Sequence, residues 1–296
     1  MSIFARAGSR QAAARPASAE QDAGANPSRS HEASAPRADA PPPLPSRERV
    51  IVWGGIAAVT AISWLVLARM PMPPSGMNGG AMGDMAAAMD ACGAAWSLRD
   101  AWLVLAMWSV MMAAMMLPSA IPMIEMYARM ARGRAAGQGG SAWLLVAGYL
   151  IAWTGFAAAI TAVQYPLERT RIIGDAMRMT PAAGGLLLIA TGIFQFTPLK
   201  QACLTQCRSP LGFFLTSWRS GAGGALAMGL HHGAFCIGCC WLLMALMFVA
   251  GAMNLVWAGA LTIFVLLEKA TPWGGAISRV SGALMVASGI ALSALG

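Results

Sequence analysis

The chain has 296 residues, of which 57% are hydrophobic and only 11% charged, and it carries a net charge of +8. A soluble domain holds about a quarter charged residues, so composition excludes that class and predicts an all-α, polytopic transmembrane helical bundle of about seven spans, with six as the alternative count. The excess of cations does not indicate a nucleic-acid partner: Lys and Arg fall in short bursts between apolar runs and form no basic stripe with interleaved aromatics.

Residues 1–49 are rich in Ala, Pro, Ser and Arg and end near the run Pro41-Pro42-Pro43-Leu44-Pro45. Such a segment has too little apolar surface to offset its ordering entropy, and it is expected to be a disordered cytoplasmic tail. No short apolar core of a secretory signal precedes Val50, and Glu20, Asp22, Glu32 and Asp39 argue against a transit peptide. The membrane domain then occupies 50–296.

A span needs about 20 apolar residues. Candidate spans of varying length cover 50–68, 101–127 (interrupted by Pro118 and Pro122), 142–164, 182–197, 224–249 and 255–267. A seventh, from 274 to the end, contains Arg279. Cations gather in alternate connections: Arg47 and Arg49; Arg129, Arg132 and Arg134; Lys200, Arg208 and Arg219; Lys269 and Arg279. The positive-inside rule therefore predicts a cytoplasmic N-terminus, although Arg169, Arg171 and Arg178 run against it. Gly229-x3-Gly233 in the fifth span is the kind of small-residue pair that lets helices pack closely in lipid.

Four constellations along the chain carry metal chemistry. The connection at about 70–92, predicted to lie outside, is a Gly/Ala/Pro-rich stretch punctuated by Met70, Met72, Met77, Met82, Met85 and Met89 and ending at Cys92. Thioethers in so small-residued a loop gain little from packing, and they would suit copper capture where thiols oxidise. In the second span Met107, Met111 and Met115 form one i, i+4, i+8 row, with Met112 and Met116 in the neighbouring row. Thioethers are soft, neutral ligands for Cu(I), although Met is also an ordinary core filler.

Further on, Cys203 and Cys207 are four apart, between Lys200 and Arg208. They are predicted to share a helical face near the cytoplasmic surface, where a permanent disulfide is disfavoured. The fifth span holds the most specific feature, His231-His232-Gly-Ala-Phe-Cys236-Ile-Gly-Cys239-Cys240-Trp241. At 3.6 residues per turn, His232, Cys236 and Cys239 fall on one stripe with Cys240 at its edge, and Met228 and Met247 lie along it. A single membrane cysteine is ordinary packing. Three within five positions, a turn from an imidazole, supply the ligand types that Cu(I) and Zn(II) prefer. Glu125 and Arg129 read as an i, i+4 pair, and Glu268-Lys269 as charges snorkelling to the interface.

These motifs resemble those of a bacterial family of uncharacterised integral membrane proteins predicted to bind metal, sometimes described as copper-handling. The resemblance rests on Met107-Trp108, Met111, Ala114-Met115-Met116 and Pro118-Ser119-Ala120; on Lys200, Cys203-Leu204, Cys207-Arg208-Ser209-Pro210 and Trp218-Arg219; and on Gly229, His232-Gly233, Cys236, Gly238-Cys239-Cys240-Trp241, Met244 and Leu266-Leu267-Glu268-Lys269. It spans roughly 100–290 and implies a metal-binding membrane protein.

The expected function is Cu(I) binding, handling or delivery rather than catalysis. The expected ligands are His232, Cys236, Cys239, Cys240, Cys203, Cys207, Met107, Met111, Met112, Met115 and Met116, with zinc as the alternative metal. The expected partners are the bilayer, the ion and a copper-accepting or copper-donating protein. A thiol–disulfide oxidoreductase relaying electrons between Cys203/Cys207 and the Cys236/Cys239/Cys240 cluster is the alternative activity.

Overall fold

A computed structural model describes residues 45–69, 97–133, 141–174 and 177–295. The N-terminal tail up to residue 44 and the Met-rich connection at 70–92, with Cys92, lie outside the described residues. The chain forms α1 (Ser46–Arg69), α2 (Leu98–Arg132) and α3 (Ala142–Arg169). A two-residue antiparallel hairpin follows, β1 (Ile173–Gly174) with β2 (Arg178–Met179). Then come α4 (Pro181–Gln195), α5 (Pro198–Arg208), α6 (Pro210–Ser217), α7 (Gly221–Ala245), α8 (Met247–Ala250), α9 (Leu255–Ala270) and α10 (Gly274–Leu295).

Local chemistry explains most boundaries. A reciprocal capping box between Ser97 and Asp100 starts α2. Proline at the first helical position starts α4, α5 and α6, where its missing N–H costs nothing. Thr197, held extended by the proline after it, breaks α4 from α5, and the two meet at 66°. The first helix begins at Ser46 rather than Val50, so the last residues assigned to the tail are helical. Glu48 in its first turn pairs with Arg132 in the last turn of α2, which ties those two helix ends together.

Among the described residues five helical stretches are long and apolar enough to cross a membrane: α1, α2, α3, α7 with α8, and α10. The bent pair α4–α5 makes a sixth if it is counted as one span. The count of six allowed by the sequence is thus reached, and seven is not. The shortfall lies in α9, expected to be the sixth span. Its 16 residues rise only about 24 Å, short of the roughly 30 Å hydrocarbon core.

Two close helix crossings shape the interior. A Cβ on Gly148 would run into the carbonyl of Leu226, and one on Gly229 into that of Leu145, so α3 and α7 touch backbone to backbone. The Gly229-x3-Gly233 pair is therefore a packing device. Along α4 and α10, Gly185 and Gly192 face Gly289 and Gly282; a Cβ on Gly192 would sit 2.6 Å from the Gly282 carbonyl. In lipid, where burial against tails gains little, such van der Waals contact is what holds helices together.

Candidate metal centre

Cys236, Cys239 and Cys240 are all fully buried on one side of α7. With no other acceptor nearby, a buried thiol in a helix turns back to the preceding turn. Cys239 Sγ and Cys240 Sγ both donate to the Cys236 carbonyl, at 3.1 and 2.9 Å. Across from them stands α5. Its Cys207 thiol lies beside those of Cys236 and Cys239, and its Cys203 Sγ lies 2.9 Å from where a Gly238 Cβ would be. The missing side chain at Gly238 is what admits Cys203. The two cysteine groups, expected as a membrane cluster and a separate site near the cytoplasmic surface, thus form one group of five free thiols.

Cys236 is the hub. Lys269 Nζ donates to its Sγ at 2.9 Å and to Ser119 Oγ at 3.2 Å. The Tyr149 hydroxyl lies 3.1 Å from the same sulfur and donates to the Met116 carbonyl. Helices α3, α7 and α9 therefore meet at one sulfur, and α2 is tied in through Met116 and Ser119. The expectation that Glu268 and Lys269 snorkel to the interface is overturned, because both are buried. Glu268 pairs with Lys200 at 2.8 Å, with neither side chain exposed. The reversal follows from Arg208, which donates to the Thr271 carbonyl at 2.6 Å and clamps the turn after α9 onto α5.

His232 lies buried one turn before Cys236, its ring stacked on Tyr149 with centroids 5.7 Å apart and edge-on to Phe213. Its Nδ1 has no hydrogen-bond partner among the described residues. A buried nitrogen of that kind is expensive to leave unmet, and its acceptor lone pair suits a soft or borderline metal. His231 turns away, exposed, against Phe213 and Phe235.

Met107, Met111, Met112, Met115 and Met116 are all buried. Two contacts set α2 against α7 and α8: Trp108 meets Phe248 with ring centroids 5.2 Å apart, and Tyr149 bridges Met116 to Cys236. These contacts tie α2 to α8 and, through Tyr149, to α7. Met244 and Met247 are fully buried as well. The sequence left Lys269, Tyr149, Ser119 and Met244 outside the ligand set. Only Met244, eight residues after Cys236, had a periodic signal that could have found it.

Among the described residues no group of three or more His, Cys, Asp or Glu side chains is arranged to hold a metal ion. Two of the buried thiols are turned to the Cys236 carbonyl instead. The donor set is nonetheless sulfur-rich and nearly free of oxygen, which disfavours hard cations and suits a soft ion. The sequence model of a family described as copper chaperone, PpoB2, matches residues 105–292, a stretch containing every residue of the centre. No curated protein and no solved structure matches the chain.

Proposed function

The chain belongs to the PpoB2 copper chaperone family, and from that premise we propose that it binds Cu(I) as cargo inside the membrane and passes it on without catalysing a reaction. The observation that carries this reading is the meeting of Cys207 with Cys236 and Cys239 from facing helices. Thiolates are the preferred ligands of Cu(I), which accepts few donors in loose geometry. In this reading Cys236 with Cys207, Cys239 or Cys240 holds the ion, His232 offers a neutral nitrogen one turn away, and Cys203 is the exit-side thiol. Met107, Met111, Met112, Met115 and Met116, joined by Met244, line the approach as neutral thioethers. They bury no extra negative charge in the apolar interior.

The Met-rich segment at 70–92 would collect the ion on the outer side of a bacterial inner membrane, with the N-terminus in the cytoplasm. A copper-accepting protein would then take the ion from the centre. Competition titration of the purified protein with Cu(I) and a colorimetric chelator tests the ligand set. Replacing Cys236, Cys239 and Cys240 together by Ser should abolish tight binding, and an unchanged affinity would sink the proposal. A parallel Zn(II) titration separates the metals: binding of Zn(II) in preference to Cu(I) would overturn the assignment of the cargo.

A further inference from the structure

Buried charge at the centre is unevenly distributed. Glu268 is matched by Lys200, 2.8 Å away and equally buried. Next in the chain, Lys269 is buried with its ammonium on Cys236 Sγ and Ser119 Oγ, and neither of these is an acid. An ammonium in an apolar interior is costly unless an opposite charge meets it. A membrane lysine of this kind marks a functional site whose partner has to be named. Here the groups able to become anionic beside it are thiols.

We propose that Lys269 is the fixed counter-charge of the centre and that it sets the net charge of the metal–thiolate unit at minus one. The inference rests on the Cu(I) reading above and deepens it. One Cu(I) with two thiolates carries one negative charge, which Lys269 neutralises; a third thiolate would leave a charge uncompensated. His232 and the methionines are neutral and can join without altering this balance. The ligand count of the bound ion is thereby set by a residue that never touches it. Cys236, as the sulfur on the ammonium, is one of the two thiolates, and the second comes from Cys207 or Cys239, whose thiols are mutually in contact. Lys269 is a positioning residue in this scheme, acting through Cys236.

The test uses the full-length protein in detergent, loaded with one equivalent of Cu(I). Differential alkylation followed by mass spectrometry should show two thiols protected by the metal, Cys236 among them. Protection of three or more would overturn the inference in the wild-type protein, with no variant needed. Lys269→Met should weaken Cu(I) binding about a hundredfold, as expected when a buried charge loses its partner, and Lys269→Arg should restore most of it. Wild-type affinity in Lys269→Met, or no recovery in Lys269→Arg, would count against a counter-charge. Cys236→Ser separates the two levels of the argument. If it binds Cu(I) like the wild type, the ligand assignment fails; if it does not, and Lys269→Met binds normally, only the counter-charge fails.

Discussion

Glu268 and Lys269 are neighbours in the chain, yet their charges face different partners, because successive helical residues point about 100° apart. Glu268 closes an ion pair with Lys200 of α5, and Lys269 turns to Cys236 of α7. A buried pair of this kind is weak evidence for net stability, but breaking it leaves one charge stranded. Glu268→Gln is therefore expected to lower unfolding stability by about 3–5 kcal/mol. The double variant Lys200→Met with Glu268→Leu should recover much of that loss. Denaturation midpoints of the detergent-solubilised protein would check both, and a fully additive double variant would contradict the pairing. The His232, Cys236 and Cys239 stripe could be read from sequence because helical periodicity is local. The partner of Lys269 could not, because it lies 33 residues away across a turn.

At the scale of elements, the centre depends on two devices. The backbone contact of α3 with α7, made by Gly148 and Gly229, brings Tyr149 to Cys236. The glycine at 238 lets α5 press its cysteine face against α7. The second device predicts a cross-link. With Cys207, Cys236, Cys239 and Cys240 replaced by Ser, Gly238→Cys should form a disulfide with Cys203 under mild oxidation, seen as a linked peptide pair by mass spectrometry. Absence of that pair would mean that α5 and α7 do not face one another here. Sequence spacing placed each cysteine pair on a helical face, but which faces meet is decided by the 66° bend at Thr197–Pro198. Beyond that bend α5 runs in a new direction, with Cys203 against Gly238 of α7.

For the whole molecule, the Glu48–Arg132 pair puts the start of α1 and the end of α2 on one side, where Arg47, Arg49 and Arg129 also cluster. The positive-inside rule predicts that this side is cytoplasmic. Alkaline phosphatase fused after Arg132 should accordingly be inactive, and the same enzyme fused after Arg171, at the far end of α3, should be active. The reverse pattern would invert the proposed path of copper from the outer Met-rich segment to the cysteine centre.

Composition and periodicity alone determined that this is a helical chain with membrane-spanning character, and they picked out the buried cysteines and methionines, because charge depletion and a 3.6-residue repeat are properties of short stretches of chain. The sulfur-rich character of the interior was legible for the same reason: donor type is written in each residue. Only the tertiary structure decided that five cysteines form one group rather than two and that α9 falls short of a span. It also showed that Lys269 is buried against Cys236 and Ser119 rather than held at the surface. Each of these turns on where a helix bends or stops, and on which distant backbone a glycine lets through.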